Sequence, residues 1–363
     1  MTGRHVEIGG RRIGDGVRPL VIAEIGVNHD GDVGRAGRLI DAAADAGADA
    51  AKLQTFRADR LALPEAAQAE YQRERASAAS QLDMLRSLEL PSEALAGLRD
   101  RALDRGLLFL SSPFDVESAE LLIELGVPAI KIGSGDLTNL FLLRAVSDRG
   151  IPVLLSTGMA TLEEVDRAVE DLRSHGDPAL VLLQCVSTYP ATPEMIDLRA
   201  MRTMAERYGV PVGYSDHTMG IGAAVAATAL GAAVIEKHLT LDRTLPGPDH
   251  AASLEPIDFR AMVDAIREAH DALGSGEKAP RPEEDDVRAV ARRSIVIARR
   301  VPTGELLTSD DLTALRPESG LSPLLLDSVL GRAAARDLLP GRLLRPDDLD
   351  PPLSPSADRR GQG

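Results

Sequence analysis

Aromatic side chains, cysteine and lysine are all scarce in this sequence. Its 363 residues include no Trp, four Tyr, five Phe and one Cys, so that aromatic residues make up 2% of the chain. The single cysteine, Cys185, excludes a disulfide within the chain. Since 44% of the residues are hydrophobic but few are aromatic, we expect an aliphatic core of Ala, Val, Leu and Ile.

Long apolar segments and a positive net charge are also missing. No apolar run reaches the ~20 residues that a membrane span needs, and the N-terminal MTGRHVEIGGRRIG has no apolar signal core. The net charge of −15 repels nucleic acids and anionic lipids, and no basic stripe offsets it. We therefore expect a cytoplasmic globular protein that binds neither nucleic acid nor a membrane.

The sequence does contain one unit repeated eight times: a short apolar strand, a polar or glycine-rich tip, and an amphipathic helix. The predicted strands are 19–26, 48–54, 107–112, 128–133, 152–157, 179–185, 210–215 and 232–238. Continuous apolar runs joined by helices are typical of parallel strands covered on both faces. Eight such units in about 260 residues predict an α/β protein with a closed (β/α)8 TIM barrel. The alternative is an open doubly wound sheet, which is less favoured because no predicted strand ends in a convincing GxGxxG turn.

Polar side chains cluster at the carboxyl ends of these strands, where TIM barrels carry their chemistry. In chain order they are Glu24; Lys52 and Gln54; Ser112; Lys131, Ser134 and Asp136; Ser156; Ser187 and Tyr189; Ser215 and His217; and Glu236 and His238. Because side chains alternate along a strand, Lys52 and Gln54 share one side, and His217 and His238 also face the barrel mouth. Asp216 and Lys237 face the helices, where a supporting role and a purely structural one are equally expected.

Lysine usage singles out the same strand ends. The chain strongly prefers arginine, and its only lysines are Lys52, Lys131, Lys237 and Lys278. Three of these four end a strand, where a compact ammonium can bind a phosphate or carboxylate. The alternative interpretation is a buried cation with a structural partner.

His217 and His238 end two neighbouring strands on the same side. Adjacent strands lie about 4.8 Å apart, so two imidazoles can converge on one divalent cation. Glu24, Glu236 and Asp249 are among the oxygen donors available nearby. Two histidines with oxygen ligands suit manganese, iron or cobalt better than a closed zinc site, although strand histidines can also be structural.

Nine motifs, in order, resemble those of the sialic acid (nonulosonic acid) synthases, which have a NeuB-like barrel. They are AEIGVNHDG, AKLQTF, SSPFD, KIGSGD, LLSTGM, CVSTYPA, GYSDHT, EKHLTLDR and PGPDHAASLEP. The resemblance implies condensation of phosphoenolpyruvate with an N-acetylhexosamine and water. N-acetylmannosamine is the acceptor expected first, giving the nine-carbon keto acid N-acetylneuraminate and phosphate by C–O cleavage. A 6-deoxy diacetamido hexose, as in pseudaminic or legionaminic acid synthases, is the alternative acceptor.

The resemblance also implies roles for individual residues. His217 and His238 would hold a divalent metal that activates the open-chain aldehyde, with Mn²⁺ expected and Mg²⁺ or Co²⁺ as alternatives. Glu24 would deprotonate water, or else support Lys52 or a metal-bound water. Phosphoenolpyruvate would be bound by Lys52, Ser112, Lys131, Ser134, Ser156, Ser187 and Ser215. The sugar would be bound by Gln54, Asp136, Tyr189, Asp249 and Arg316.

A second region follows the predicted barrel of residues 1–275. Residues 276–290 are charged and rich in Pro and Gly, which is typical of a linker. The segments 298–312 and 335–349 match at eight of fifteen positions, so we predict a pseudo-twofold β-rich module over 291–350, with a disordered tail over 351–363. The module resembles the SAF (antifreeze-like) domain. In that family it covers the partner's barrel in a domain-swapped homodimer, and Arg316 would reach the sugar's acetamido group; otherwise Arg316 is an exposed arginine beside a turn.

Three other functions compete with the synthase. A Schiff-base aldolase would use Lys131 or Lys237 as its amine. Keto-deoxy sugar-phosphate and aromatic-pathway synthases share phosphoenolpyruvate chemistry but give no reason for the C-terminal repeat. A non-catalytic carbohydrate-binding protein would require lost catalytic residues, and none is missing.

Overall fold

A computed structural model describes residues 3–68 and 80–354 of the chain. The chain divides into two compact units, Met1–Ser275 and Gly276–Gly363. Among the described residues, no helix combines the length and the apolar character needed to cross a membrane.

Eight parallel strands of the first unit close into a barrel, which confirms the predicted fold. A hairpin of β1 (His5–Ile8) and β2 (Arg11–Gly14) comes first. The barrel strands are β3 (Leu20–Gly26), β4 (Ala50–Thr55), β5 (Leu108–Pro113), β6 (Ile130–Ile132), β7 (Val153–Ser156), β8 (Leu180–Cys185), β9 (Val212–Asp216) and β10 (Val234–His238). They are hydrogen-bonded in chain order, and β10 closes onto β3. Each lies within two residues of its predicted bounds.

Helices follow every barrel strand. They are α1 (Val33–Asp45), α2 (Ala58–Leu61), α3 (Gln81–Leu88), α4 (Ala94–Asp104), α5 (Val116–Leu125), α6 (Leu140–Ser147), α7 (Leu162–His175), α8 (Ala200–Tyr208), α9 (Gly222–Ala229) and α10 (Pro256–Leu273). Local sequence sets several of their ends. Thr161 and Glu164 form a capping box at the start of α7, and Gly126 ends α5 in the left-handed conformation at φ 79°.

The barrel has an outer and an inner apolar core. The outer core lies between strands and helices, and contains residues such as Leu39, Leu155 and Phe259. The inner core fills the amino-terminal half of the barrel with Ile22, Leu110, Leu154, Val181 and Leu183, and Ile8 and Ile13 of the hairpin pack against it. Because side chains fill that half, a ligand cavity is left only toward the carboxyl ends of the strands.

The second unit is built on the predicted repeat. Its elements are α11 (Asp285–Ala291), β11 (Ser294–Ile297), β12 (Leu312–Leu315), α12 (Leu326–Val329), β13 (Ala333–Ala334) and β14 (Leu349–Asp350). Equivalent residues of the two copies pair with each other: Val301 N donates to Leu338 O over 2.9 Å, and Leu338 N donates to Val301 O over 2.8 Å. The buried carboxylates Asp311 and Asp348 are likewise equivalent, and each is paired with an arginine. The repeat is thus a local pseudo-twofold.

Two predictions at the edges of this unit need correction. The predicted linker 276–290 is partly helical, because α11 begins at Asp285. The predicted disordered tail begins too early, because Leu353 is buried in the core of the second unit. Residues 355–363 of that tail lie outside the described residues.

Candidate active site

A cavity of about 260 Å³ opens at the carboxyl ends of the barrel strands. Most of the residues predicted for the site line it together: Glu24, Lys52, Gln54, Ser112, Lys131, Ser134, Ser156, Ser187, Tyr189, Ser215, His217, His238 and Asp249. They come from all eight strands or from the loops that follow them. Strand alternation therefore brings distant sequence motifs to one place.

Two lysines and two glutamates form a charged cluster on the cavity floor. Lys52 is ion-paired with Glu24, lies 3.7 Å from Glu236 Oε2, and donates a 3.0 Å hydrogen bond to Ser112 Oγ. Lys131 Nζ lies 3.6 Å from Glu236 Oε1. All four charged groups are buried, which is tolerated only when opposite charges accompany one another. Glu236 therefore bridges both ammonium groups.

The two carboxylates of this cluster differ in acidity. Burial raises the pKa of Glu24 to about 7, and although Lys52 opposes this rise, Glu236 adds to it. Burial also favours the neutral form of Glu236, but Lys131 and Lys52 outweigh it and lower the pKa of Glu236 overall. A pair of carboxylates with diverging pKa values suits a division between a proton acceptor and a fixed charge. Glu24 is the one placed to exchange a proton near neutral pH.

The sequence prediction named Glu236 only as an oxygen donor available near the histidines and gave it no role toward the lysines. Glu236 precedes His238 by two residues on the same strand, so that alternation puts both on the inner face. Its Oε1 accepts a 2.9 Å hydrogen bond from Ser215 Oγ, whereas its buried Oε2 has no hydrogen-bond partner. Glu236 lines the cavity, with Lys52 nearer to its Oε2 and Lys131 nearer to its Oε1.

His217 and His238 lie side by side at the mouth, with ring centroids 5.3 Å apart. Nδ1 of His217 faces the Val186 carbonyl oxygen at 2.7 Å and must donate to it, which leaves the lone pair on Nε2. The Tyr189 hydroxyl lies 2.8 Å from that Nε2, and its ring stacks on His217. Nδ1 of His238 lies 3.5 Å from Asp249 Oδ2 and, although buried, has no hydrogen-bond partner.

This pair has the chemistry of a metal ligand set. Burial, together with His217 and the nearby lysines, lowers the pKa of His238 well below its usual value, so that its imidazole is neutral, as a ligand must be. No cluster of three or more His, Cys, Asp or Glu side chains with ligand spacing is found within 3–68 and 80–354. A cation held by two imidazoles would complete its coordination with oxygen from water or substrate, which suits Mn²⁺. The two imidazoles could therefore hold the expected metal once the Tyr189 hydroxyl, 2.8 Å from His217 Nε2, moves off that nitrogen.

Hydroxyl groups surround the lysines. The Ser156 hydroxyl is buried without a hydrogen-bond partner, and Ser134 Oγ accepts a 3.0 Å hydrogen bond from Gly158 N. A Cβ at Gly158 would lie only 2.5 Å from Ser187 Oγ and 2.8 Å from Ser134 Oγ, so only glycine lets these hydroxyls approach. Ammonium and hydroxyl donors in one pocket are what a phosphate or carboxylate requires.

One predicted sugar-binding residue of the barrel, Asp136, does not line this cavity. Asp136 lies in the short 3₁₀ turn Ser134–Asp136 and accepts a 2.9 Å hydrogen bond from Asn139 Nδ2. Burial raises the pKa of Asp136. Arg316 is an exposed residue of the second unit, at the end of β12. The chain leaves strand geometry at Ser134, which places Asp136 outside the lining, and its role toward the sugar stays a prediction.

An apolar wall on one side of the cavity was not predicted. It consists of Leu61, Met84, Leu85 and Leu88, from α2 and α3. Phe56 and Phe114 lie beside it and pack edge to face, with ring centroids 5.9 Å apart. None of the quoted motifs contains the four wall residues, which come from the connection between β4 and β5, whereas Phe56 and Phe114 lie in AKLQTF and SSPFD.

Comparison with known proteins assigns the family. Residues 39–278 match the NeuB family model, and residues 292–350 match the SAF domain model. The N,N'-diacetyllegionaminic acid synthase of Legionella pneumophila is 41% identical over 349 residues, covering 93% of this chain and 98% of its own length. The human N-acetylneuraminate-9-phosphate synthase is 36% identical, over 84% of this chain and 85% of its own length.

A solved structure agrees with these relatives. The N-acetylneuraminic acid synthetase of Leptospira borgpetersenii, in complex with citrate, superposes with a TM-score of 0.70 at 34% identity, covering 78% of this chain and 95% of that one. The motifs, the barrel with its repeat-built second unit, and relatives aligned over nearly the whole chain all agree. The chain belongs to the NeuB family, whose relatives named here are sialic and other nonulosonic acid synthases, and it carries a SAF domain after its barrel.

Proposed function

We propose that this protein condenses phosphoenolpyruvate with an N-acetylated hexosamine to form a nine-carbon 2-keto sugar acid and phosphate. The observation that carries the proposal is the joint position of Lys52, Lys131 and the histidine pair in one cavity. The lysines and serines provide an anion site, and the histidines provide a second site beside it. Two reactants can therefore be held next to each other.

The side chains divide the work as follows. Lys52, Lys131 and the surrounding serines bind the phosphate and carboxylate of phosphoenolpyruvate. When bound, a divalent cation held by His217 and His238 supplies Lewis-acid activation of the sugar aldehyde. The methylene carbon of phosphoenolpyruvate attacks the aldehyde carbon, whose oxygen takes up a proton to become a hydroxyl, and water adds to the phosphate-bearing carbon. Glu24 takes the proton from that water. The hydroxyl so formed on the phosphate-bearing carbon then loses its proton to form the 2-keto group as the C–O bond breaks and inorganic phosphate leaves.

A 6-deoxy diacetamido hexose is the acceptor that we favour. The synthase of Legionella that is 41% identical to this chain is named for N,N'-diacetyllegionaminic acid. The apolar wall of Leu61, Met84, Leu85 and Leu88 offers a surface for methyl groups, which a 6-deoxy diacetamido sugar carries at C6 and on two acetyl groups. N-acetylmannosamine, with a hydroxyl at C6 and one acetyl group, stays the alternative acceptor.

Phosphate release from phosphoenolpyruvate with Mn²⁺, measured across a panel of hexosamines with mass spectrometry of each product, tests the proposal. We expect release to require one sugar, to yield a nine-carbon keto acid, and to stop with a chelator or in His238→Ala. Release that persists without metal would contradict the assignment. A borohydride-trapped adduct at Lys131 would instead support a Schiff-base aldolase. Lys237 is fully buried behind the barrel wall and cannot serve as that amine.

We further propose that two copies form a domain-swapped homodimer in which Arg316 reaches the partner's sugar site. Large apolar side chains lie exposed where the chain leaves the carboxyl ends of the barrel strands, namely Phe141 (86% exposed) in the first turn of α6, Met159 (72%) in the loop after β7 and Ile257 (84%) in the first turn of α10. Such exposed apolar side chains are typical of a surface that another chain covers. Sedimentation of Phe141→Glu/Ile257→Glu against wild type tests this: we expect a monomer, and an unchanged dimer would contradict it.

A further inference from the structure

Two charged side chains behind the histidine pair take no part in the chemistry described so far. Asp216 and Lys237 lie on the helix-facing side of β9 and β10 and are 1% and 0% exposed. Lys237 Nζ donates a 2.8 Å hydrogen bond to Asp216 Oδ2. A buried ion pair is often no more stabilising than an apolar pair of similar volume. Stability alone is therefore a weak reason for this one.

The backbone ladder between β9 and β10 stops just before the histidines. Ser215 pairs with Glu236 and Asp216 pairs with Lys237, and these are the last paired positions. β9 itself ends at Asp216, so that His217 lies one residue beyond the strand. Beyond Asp216 the backbone of His217 is held from the β8 side, where Ala191 N donates a 2.9 Å hydrogen bond to His217 O, while the β9–β10 ladder gives it no further rung.

Side chains hold this segment where the ladder ends. Asp216 Oδ1 accepts 2.8 Å hydrogen bonds from both N and Oγ1 of Thr218, which closes a tight turn around His217. Lys237 Nζ also donates to the Thr218 carbonyl oxygen, at 2.5 Å. Lys237 therefore holds the residues on both sides of His217, and it is itself the neighbour of His238. We call Asp216, Thr218 and Lys237 the brace.

We infer that Asp216 and Lys237 are positioning residues that set the separation and orientation of the two imidazoles for the cation. The inference rests on the metal site of the proposed function. His217 and His238 face the cavity on the side of the strands opposite to the brace, with ring centroids 5.3 Å apart. Loss of the cross-strand bond would loosen the turn around His217 on its β10 side, while the bonds to Ala191 and Val186 on the β8 side remain. Loss of groups that orient metal ligands typically weakens metal affinity by about 10–100-fold.

Two variants separate positioning from simple structural support. Lys237→Met leaves the buried Asp216 carboxylate without its cation, and we expect it to lower both the unfolding temperature and the Mn²⁺ affinity. Asp216→Asn/Lys237→Met removes both charges but keeps an acceptor for Thr218, so we expect it to recover stability relative to the single variant. If the brace positions His217, the double variant still binds Mn²⁺ about 10–100-fold more weakly than wild type.

Calorimetric titration of the chelator-treated full-length protein with Mn²⁺, and separately with phosphoenolpyruvate, is the test. Ile266→Ala, a core change in α10, is the control for destabilisation and should keep wild-type Mn²⁺ affinity. We expect phosphoenolpyruvate affinity to stay within about threefold in every variant. A double variant that binds Mn²⁺ as tightly as wild type would overturn the inference and leave the proposed function intact. Wild type that binds no Mn²⁺ would overturn the metal site and the inference with it.

Discussion

Replacing Glu24 with Gln tests the assignment of the proton acceptor. Glu24 is buried beside Lys52, and burial raises its pKa from an ordinary 4.5 to about 7. A carboxylate with that pKa is about one-tenth ionised at pH 6 and nine-tenths ionised at pH 8. Only the ionised form can accept a proton from water, so we expect kcat/KM of wild type to rise about tenfold over this range.

The expected loss of rate in Glu24→Gln follows from the same geometry. Gln fills nearly the same volume but cannot accept the proton, and loss of a general base typically lowers the rate by about 10²–10⁴-fold. The phosphate of the substrate itself titrates with a pKa of about 6, which adds a limb unrelated to the enzyme. Glu24→Gln should keep that substrate limb and lose the one near pH 7, whereas Glu24→Asp should keep both.

The rate of inorganic phosphate release, measured between about pH 5.5 and 8.5 with saturating Mn²⁺ and limiting phosphoenolpyruvate, gives kcat/KM for each variant as a function of pH. Circular dichroism and the unfolding temperature of each variant control for folding. A Glu24→Gln enzyme with a rate within about threefold of wild type, or with an unchanged limb near pH 7, would refute the base assignment. Glu24 would then be left as a support for Lys52.

Three further predictions concern the neighbouring groups. Glu236→Gln leaves Lys52 and Lys131 with one carboxylate fewer, and we expect the free energy of unfolding in urea to fall by about 3–5 kcal/mol; an unchanged value would contradict the bridging role. Lys131→Met should raise the KM for phosphoenolpyruvate at least about tenfold with little change in the sugar KM, measured by initial rates; equal effects on both would point to a general disturbance. Arg316→Ala should raise the sugar KM about tenfold and spare that of phosphoenolpyruvate, and no change in either KM would remove Arg316 from the site.

The barrel was predictable because its strands are buried on both faces. Parallel strands covered by helices read as continuous apolar runs, and β8 (Leu180–Cys185) is an example. Alternation then assigned Ser215 and His217 to the cavity and Asp216 to the outer side, as the structure confirms. The exact bounds were less predictable, because strand ends depend on which hydrogen bonds the neighbouring strands complete.

The site was less predictable wherever the chain leaves strand geometry. β6 ends at Ile132 and a 3₁₀ turn follows, so that alternation no longer says where Asp136 points. The apolar wall could not be predicted from the sequence for another reason. Met84 and Leu88 recur at helical spacing, which indicates a buried face but not whether a core or a cavity lies against it. The structure shows that these residues pack against Phe56 and also line the cavity.

The charged floor explains how a chain with a net charge of −15 can bind a small anion. Burying Lys52 and Lys131 requires partner carboxylates, and Glu24 and Glu236 provide them. With both carboxylates ionised, the two lysines and two glutamates sum to zero, and protonation of Glu24 makes the cluster positive by one charge. Binding of phosphoenolpyruvate must therefore favour protonated Glu24 and raise its pKa further. The limb in kcat, which reports the bound complex, should then lie at higher pH than the limb in kcat/KM, which reports the free enzyme.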